Sequence, residues 1–459
     1  MIMSRDGVAG YDSKTMKTNT QNSTTGATRR TFIKTTGLAG AGLLLPPTIS
    51  TAGAAPKDGE TLALKGGAKA VTASHDDGTT WPRYGAEEEK AVLDVLRKPD
   101  YVPNDALEAD WKKHFKLPFC KAHYNGTSAI TAMYFALNLP AGSEIMVPCS
   151  TFWATITPMR FFGLVPVMVD INPVTLNFDI EDAKRKLTKN TKAVFPVHYL
   201  GMPADMDYIS DFCKEKGLIV LEDACHAHGA SMHGKFMGAW GRMACFSFQA
   251  SKPLPAIEGG MGNYQNQEDF ERATILGHYE WASKLKGPCK KYAYGLGMKL
   301  RMHPMAAALA KCQLAKLAER NATLKAQVRR LNDRITRLPG LREQQNRKDV
   351  DRVYYAANRF YLDEAEAGMS RAACVKALRA EGVSVGVAGA QFLCKNPIFH
   401  EKEWWHHMPV VADQFPGAAA VNKHGISLPF FTKEMPELNE QYIKAFEKVW
   451  AHRKELAKS

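Results

Sequence analysis

Residues 218–224 read Leu218-Ile-Val-Leu-Glu-Asp-Ala224, and residues 246–252 read Phe246-Ser-Phe-Gln-Ala-Ser-Lys252. Both are short apolar runs that end in polar or charged side chains, a pattern typical of strands buried in a sheet. Glu222 and Asp223 therefore lie at the end of one predicted strand, and Lys252 follows another. A carboxylate in that place either serves a ligand site or forms a helix cap or a surface ion pair, and the sequence favours neither.

The sequence on both sides of these runs alternates between strands and amphipathic helices. Strands are predicted at 144–148, 165–169, 193–196, 219–221 and 244–248, and helices at 128–139, 152–162, 180–187, 204–216 and 304–335. Such alternation predicts an α/β domain with a mainly parallel sheet, whose ligand sites lie at the carboxyl ends of the strands.

The chain is predicted to have four consecutive regions. Residues 1–54 form a leader, residues 55–100 an N-terminal arm, and residues 101–335 a large α/β domain. A long amphipathic helix at 304–335 leaves that domain. Residues 336–459 form a smaller C-terminal α+β domain.

The composition is that of an ordinary globular protein, with 45% hydrophobic and 23% charged residues among 459. It excludes a disordered chain, a collagen-like repeat and a disulfide-stapled miniprotein. The net charge of +13 suits anionic small molecules, nucleic acid or a membrane surface, or reflects a lysine-rich solvated surface. Because the lysines are scattered and no nucleic-acid motif is present, we predict no nucleic-acid binding. No apolar stretch is long enough to predict a stable membrane span.

The leader resembles a bacterial twin-arginine signal peptide. Residues 28–34 read Thr-Arg-Arg-Thr-Phe-Ile-Lys, an apolar run follows at 37–45, and small residues at 52–54 offer a cleavage site. The resemblance implies export by the twin-arginine translocase to a periplasmic or extracytoplasmic location, with the mature chain starting near Ala55. If the leader is not used, the protein is cytoplasmic.

Two further segments carry candidate binding groups. Asn125-Gly-Thr-Ser-Ala129 is a tight turn that opens a helix, where backbone N–H groups and the Thr127 and Ser128 hydroxyls can hold a phosphate. The same sequence is also an ordinary helix cap. Phe152 follows a predicted strand and can stack on a flat ring, although packing in the core is the commoner role for such an aromatic residue.

Two lysines are candidates for chemistry. Lys252 lies between an apolar strand and the turn Glu258-Gly-Gly260, and burial there would lower the pKa of its amine and make it nucleophilic. The alternative is a lysine whose amine reaches solvent. Lys299, with Arg301, precedes the long helix, either as part of a site or as a charged helix end.

Taken in order, these segments resemble the DegT/DnrJ/StrS family of pyridoxal-phosphate (PLP) sugar aminotransferases over roughly residues 80–440. The motifs are Asn-Gly-Thr-Ser-Ala at 125–129, Val-Pro-x-x-Thr-Phe-x-Ala-Thr at 147–155, Pro-Val-Met-Val-Asp-Ile-Asn at 166–172, Pro-Val-His-Tyr-Leu-Gly-Met-Pro-Ala-Asp-Met-Asp at 196–207, Glu-Asp-Ala-Cys-His-Ala-His-Gly-Ala at 222–230, Ser-Phe-Gln-Ala-Ser-Lys at 247–252 and Leu-Pro-Phe-Phe at 428–431. Each motif is modest, but their shared order and spacing are specific.

The resemblance implies the type I, aspartate aminotransferase-like fold of PLP-dependent transferases and assigns a role to each matching residue. Lys252 would hold PLP as the internal aldimine and act as the acid and base. Asp223 would pair with the pyridine nitrogen, so that the ring acts as an electron sink. His226 would lie beside the cofactor and Phe152 would stack on it. The phosphate would be held by the small and hydroxyl-bearing residues Gly126, Thr127, Ser128 and Ser247.

One position departs from the family pattern. The family has Asn where this chain has Lys299, and that Asn reaches the cofactor phosphate of the neighbouring subunit. A lysine there either keeps the phosphate contact with an added charge or marks a changed site. If the contact is kept, the resemblance implies a homodimer with a shared active site.

The implied reaction is a transamination from an amino acid, glutamate or glutamine, to a keto sugar or cyclitol. Family members that act as sugar dehydratases have His at the lysine position, so Lys252 argues against that branch. The alternatives are a PLP-dependent lyase on an unusual substrate and a non-catalytic sugar-binding or scaffold protein of the same fold.

Two expectations remain from the sequence. Nucleotide-linked keto sugars are cytoplasmic, so an exported enzyme needs another acceptor. The segment 399–407 is rich in aromatic residues and histidine, and it either contacts a sugar or forms a solvated loop. It lacks the His-Glu-x-x-His spacing of zinc enzymes, and we predict no metal.

Overall fold

A computed structural model describes residues 60–292, 294–345 and 347–457 of the chain. The predicted leader at 1–54 and the start of the predicted arm lie outside these residues. None of the described helices combines the length and the apolarity needed to cross a membrane.

The described residues form three sheets. Their strands are β1 (Phe119–His123), β2 (Glu144–Pro148), β3 (Val165–Val169), β4 (Thr191–Val194), β5 (Ile219–Asp223), β6 (Ser231–Met232), β7 (Lys235–Phe236), β8 (Met243–Ser247), β9 (Gly260–Tyr264), β10 (Leu341–Glu343), β11 (Val350–Asp351), β12 (Asn358–Leu362), β13 (Gly386–Val387) and β14 (Gly425–Leu428).

The largest sheet has seven strands in the order β1-β9-β8-β5-β4-β2-β3. Strand β9 runs antiparallel to both of its neighbours, and the remaining pairs are parallel. This mostly parallel mixed sheet confirms the predicted α/β class. Because β5 lies beside β8, Asp223 pairs in register with Cys245, and the apolar run that ends in Asp223 is a direct neighbour of the run that leads to Lys252.

Alternating side chains of this sheet enter two different cores. Along β2, Ile145 and Val147 pack into one core, whereas Met146 packs into the other. Strand β3 repeats the pattern, with Met168 in the first core and Val167 in the second. Since both faces are covered, every residue of these strands is buried, which explains their nearly continuous apolar sequence.

Helices cover both faces of the large sheet and one face of a smaller one. They are α1 (Asp76–Thr79), α2 (Ala86–Arg97), α3 (Val102–Phe115), α4 (Gly126–Leu137), α5 (Ile180–Lys186), α6 (Met206–Lys216), α7 (Gln267–Gly277), α8 (Tyr279–Ala282), α9 (Pro304–Ala315), α10 (Leu317–Ile335), α11 (Glu364–Ala367), α12 (Arg371–Ala380), α13 (Pro416–His424), α14 (Pro436–Ala451) and α15 (Arg453–Leu456).

The smaller sheet has four strands in the order β10-β12-β14-β13, and all its pairs are antiparallel. Its core contains residues of β12, α10, α12 and α14, among them Phe360, Leu331, Leu378 and Phe446. The third sheet has three short strands in the order β11-β6-β7. Its strand β11 follows α10 in sequence, and β6 and β7 belong to the connection between β5 and β8 of the large sheet.

Two predicted helices differ from the structure. Residues 152–162 form two 3-10 helices, Trp153–Thr155 and Thr157–Phe162, because Pro158 lacks an N–H donor and restricts the residue before it. The predicted helix at 304–335 is two helices that meet at Lys316. The Lys316 amine pairs there with Glu87 and Glu88 of the α2 helix, a contact between segments far apart in sequence.

Candidate active site

A cavity of about 790 Å³ opens at the carboxyl ends of the parallel strands. It contains the predicted residues Gly126, Thr127, Ser128, Phe152, Asp223, His226, Ser247 and Lys252 in its wall. The fold therefore brings every predicted site residue except Lys299 to one place, as expected for the strand ends of an α/β sheet.

The N-terminus of α4 forms one wall of the cavity. The Asn125 side chain accepts hydrogen bonds from the Ser128 backbone N–H at 2.8 Å and from the Ser128 hydroxyl at 2.9 Å, and so caps the helix. A Cβ atom at Gly126 would lie 2.9 Å from the Ser247 Cβ atom, so only glycine allows this close approach of helix and strand. The free N–H groups of the first helical turn and the nearby hydroxyls form a suitable anion cradle.

Asp223 lies at the end of β5 and is 5% exposed. One of its carboxylate oxygens accepts a hydrogen bond from the Thr155 hydroxyl at 2.8 Å, and the other accepts one from the Cys225 backbone N–H at 3.1 Å. Thr155 is itself held by the Thr151 hydroxyl at 2.9 Å. These donors fix the orientation of the carboxylate in the cavity wall.

Two thiols lie beside Asp223, and together the three side chains have the spacing of a possible metal site. Burial raises the pKa of the Cys245 thiol well above its usual range. A hydrogen bond to Cys245 lowers the pKa of the Cys225 thiol, but burial and the Asp223 carboxylate more than offset it, and the net shift is upward. Both thiols are therefore protonated at neutral pH and are poor metal ligands.

Lys252 is half-buried in the turn that follows β8. Its amine lies 4.7 Å from the centre of the Tyr355 ring, and its backbone carbonyl accepts a hydrogen bond from the Trp81 indole at 3.3 Å. The Tyr355 hydroxyl is 3.0 Å from the Ser251 hydroxyl. These contacts hold the turn that contains Lys252 between Trp81 and the loop before β12.

His226 lies on the cavity wall three residues after Asp223. Its ring centre is 4.4 Å from that of Tyr355 and 5.9 Å from that of Tyr199. Its Nδ1 atom accepts a hydrogen bond from the Leu200 N–H at 3.4 Å. Burial, reinforced by the positive charge of Lys252, holds the pKa of His226 well below its usual range. The imidazole is therefore neutral, and the Leu200 contact indicates that Nε2 carries the proton.

Phe152 and Trp153 form an exposed aromatic pair at the cavity mouth. Their ring centres are 4.9 Å apart, and the two residues are 54% and 46% exposed. Phe152 thus lies where the prediction placed a stacking residue, but neither ring is enclosed by the described residues of the chain.

Lys299 is exposed and lies outside the wall of this cavity. The neighbouring Arg301 instead contacts Glu280 and the Tyr101 hydroxyl. The predicted contact of Lys299 with a phosphate in a second subunit therefore stays a prediction.

The aromatic segment at 399–407 also lies outside the wall of the cavity. Phe399 and Trp405 are buried against the large-sheet core, and the Trp405 indole donates to the Ile398 carbonyl at 2.7 Å. His407 contacts Glu144 at 3.0 Å. The residues at 400–404 and 406 are exposed, so the segment is largely a solvated loop that Phe399 and Trp405 anchor to the core.

Three residues that line the cavity had no role predicted from the sequence: Thr155, Tyr355 and Arg359. Thr155 is the last residue of the motif at 147–155, so the sequence indicated its place in that motif but not its role in the cavity. Tyr355 and Arg359 come from the region of the smaller sheet, more than 100 residues after Lys252, and a reading of local patterns has no signal for them. The alternation in Asn358-Arg-Phe-Tyr-Leu362 was the available hint that Arg359 does not share the face of Phe360.

A family model described as the DegT/DnrJ/EryC1/StrS aminotransferase family matches residues 82–446. A pleiotropic regulatory protein of Geobacillus stearothermophilus is 29% identical over 362 residues, which cover 77% of this chain and 91% of that protein.

Solved structures share the fold. The aminotransferase from Psychrobacter cryohalolentis aligns with a TM-score of 0.72 and 23% identity, over 81% of this chain and 98% of that one. The structure of S. venezuelae DesV in complex with a ketimine intermediate aligns with a TM-score of 0.69 and 25% identity, over 80% of this chain and 94% of that one.

Proposed function

Because the chain belongs to the DegT/DnrJ/EryC1/StrS aminotransferase family, we propose that it transfers an amino group from an amino acid, glutamate or glutamine, to the keto group of a sugar or cyclitol. The observation that carries the proposal is the meeting of Lys252 and Asp223 in one cavity with an anion cradle. A reactive amine, a buried carboxylate and a phosphate site are the three groups that PLP chemistry needs from a protein.

The family match confirms the predicted aminotransferase class, the type I fold and the PLP cofactor. The residues of the cavity fit that cofactor. The glycine at 126 lets the first turn of α4 approach Ser247, which leaves room and N–H donors for a phosphate. Asp223 is buried and directed into the cavity, and Lys252 shares the cavity with it.

When bound, PLP supplies an electron sink next to the carbon that exchanges the amino group. The Asp223 carboxylate would pair with the protonated ring nitrogen, in the orientation that Thr155 and the Cys225 N–H give it. The Lys252 amine would move the proton at the substrate carbon. His226 is neutral, so it would lie beside the cofactor without adding a second positive charge next to Lys252.

The half-reaction tests this function. We expect the purified protein to carry the yellow absorbance of bound PLP and to lose it when glutamate or glutamine is added. A Lys252→Ala variant should keep the fold but fail to respond. A yellow band that no amino acid discharges would favour the lyase alternative, and a protein that binds no PLP on reconstitution would favour a sugar-binding or scaffold role.

The acceptor and the location are linked in this proposal. We infer that the leader exports the folded protein through the twin-arginine translocase, so that the acceptor is a keto sugar or cyclitol available outside the cytoplasm. Fusion of residues 1–60 to a reporter that is active only after export tests this. Export should stop when Arg29 and Arg30 are replaced by lysine; export of both versions, or of neither, would contradict the inference.

A further inference from the structure

Arg359 is a cationic residue in the cavity that has no partner in the described chain. It contributes to the same wall as Lys252 and Asp223. Its Nε atom is buried without a hydrogen-bond partner. Burial lowers the pKa of the guanidinium, the nearby Tyr199 opposes this shift, and no carboxylate takes part.

The strand register fixes the direction of Arg359. Phe360 and Leu362 of β12 enter the core of the smaller sheet, whereas Tyr361 packs against the core of the large sheet. Arg359 shares the face of Tyr361, because alternate residues of a strand point to the same side. Strand β12 is paired with β10 on one side and with β14 on the other. These two pairings fix which face of β12 carries Arg359.

A partly buried guanidinium without a partner is unfavourable, because it loses hydration and gains no compensating bond. The described groups of the cavity wall do not supply a paired anion: Tyr199 and His226 are aromatic and His226 is neutral. The Glu258 carboxylate lies in the same wall but has no part in the pKa shift of Arg359. Asp223 already accepts hydrogen bonds from Thr155 and from the Cys225 N–H. The compensating anion therefore comes from a molecule that enters the cavity.

We propose that Arg359 binds the carboxylate of the amino-acid donor, an inference that rests on the proposed aminotransferase function. A planar guanidinium can pair with a carboxylate through two parallel hydrogen bonds. Of the two proposed substrates, only the amino acid always carries a carboxylate; a keto sugar or cyclitol need not. The phosphate of PLP would have its own site at the first turn of α4, where Gly126, Thr127 and Ser247 line the cavity.

Equilibrium binding of glutarate to the PLP-bound protein tests this assignment without requiring turnover. Calorimetry should show that Arg359→Gln weakens glutarate binding roughly 10- to 100-fold, the range expected for the loss of a charge-assisted pair. The glutarate affinity of Arg359→Lys should lie between those of Arg359→Gln and the wild type, since lysine keeps the charge but loses the planar guanidinium. Tyr361→Phe, on the same face of β12, is the matched control and should bind like the wild type.

A kinetic comparison separates the carboxylate from the amine. Bleaching of the PLP absorbance by glutamate should slow by a similar factor in Arg359→Gln, whereas slow bleaching by n-butylamine, which has no carboxylate, should be unchanged. Retention of bound PLP and of the melting temperature shows that the variant is folded. Arg359→Lys serves in its place if the glutamine variant does not fold.

The outcomes distinguish the two proposals. Equal glutarate binding by wild type and Arg359→Gln, or no binding by the wild type, overturns the role of Arg359. A loss confined to the acceptor half-reaction overturns it too, since the arginine would then serve the other substrate. If glutarate binds through Arg359 but no amino acid discharges the PLP absorbance, the carboxylate site stands and the aminotransferase function fails.

Discussion

At the scale of single residues, Asp223 shows how the fold prepares a charged group for its task. The residue is only 5% exposed, so its carboxylate depends on protein groups for hydrogen bonds. The Thr155 hydroxyl and the Cys225 N–H each donate to one of its two oxygens. The carboxylate is thus held in one orientation in the cavity that PLP would occupy.

Removal of one of these donors gives a direct test. In Thr155→Val the carboxylate loses its hydroxyl donor at nearly constant side-chain volume, and we expect the PLP dissociation constant to rise about tenfold, or about 1.4 kcal/mol. Fluorescence titration of the apo-protein with PLP measures it. Thr157→Val is the control, because the Thr157 hydroxyl makes no hydrogen bond in the described part of the chain. Equal affinities of the two variants would contradict the role of Thr155.

At the scale of elements, the site depends on how closely helix α4 approaches the ends of β8 and β9. Besides the contact between Gly126 and Ser247, a Cβ atom at Gly260 of β9 would lie 2.5 Å from the Asn125 backbone. Two glycines on facing elements therefore bring the capped first turn of α4 against the strands. The phosphate cradle is a property of this junction, not of the helix alone.

Gly126→Ala should open the junction. The added methyl group would meet the Ser247 Cβ atom at 2.9 Å, so helix and strand must separate, at a cost of about 1–3 kcal/mol typical of overpacking. We expect weaker PLP binding together with a lower melting temperature. Gly85→Ala is the control, because its nearest neighbour there is a Glu88 carboxylate oxygen at an ordinary 3.8 Å. A Gly126 variant that binds PLP like the wild type would show that the close approach is not needed.

At the scale of the whole molecule, the cavity combines the large sheet with a wall from the smaller one. Lys252 and Asp223 come from the strand ends of the large sheet, while Arg359 comes from β12 and Tyr355 from the loop before it. Phe152 and Trp153 at the mouth remain exposed, and so does Lys299 outside it. That a second copy of the chain completes the site stays a prediction, and the exposed Lys299 is the residue through which it can be tested.

Mixing two inactive variants tests the shared site. Lys252→Ala lacks the amine in its own cavity, and Lys299→Ala lacks the residue proposed to reach the partner's cavity. After unfolding and refolding together, mixed dimers should carry one intact site, and activity should return to roughly a quarter of the wild-type value. The unmixed variants are the controls. No recovery, with size measurements that show mixed dimers, would contradict the shared site, and full activity of Lys299→Ala alone would place Lys299 outside the site.

The buried histidines make stability depend on pH. Burial, with a contribution from Lys121, lowers the pKa of His123 to about 3, and burial holds the pKa of His278, its hydrogen-bonded partner at 3.2 Å, well below its usual range. Both are neutral in the folded chain and titrate near 6.5 when unfolded. The unfolded chain therefore binds more protons as pH falls, so stability is complete above about pH 6.5 and is lost progressively below it.

A variant isolates this effect. Each histidine should lower the free energy of unfolding by about 1.4 kcal/mol at about pH 5.5 relative to neutral pH. In His278→Gln, which keeps a polar side chain but cannot titrate, the loss between these conditions should shrink by about that amount. Urea unfolding of both proteins at the two pH values measures it, and identical losses would show that His278 is not the group that titrates.

The sequence by itself determined the features that depend on neighbouring residues. The predicted strands at 144–148 and 165–169 match β2 and β3, because continuous apolar runs between helices have few alternatives to a buried parallel strand. The motif order also predicted the family, and eight of the named site residues line one cavity. Polar residues at strand ends can be identified from the local sequence. The topology of a parallel sheet then brings all such ends to one edge, so these residues meet.

Only the tertiary structure decided what depends on distant segments. Thr155 meets Asp223 across 68 positions of sequence, and Arg359 enters the cavity from a strand of another sheet. Two other features also depend on contacts between distant segments. They are the break between α9 and α10 at Lys316, which pairs with two glutamates of α2, and the antiparallel position of β9 in the large sheet. Helical and strand periodicities indicate which face of an element is buried, but not which other element covers that face. The packing of distant elements brings Thr155 to Asp223 and places the Arg359 guanidinium in the cavity.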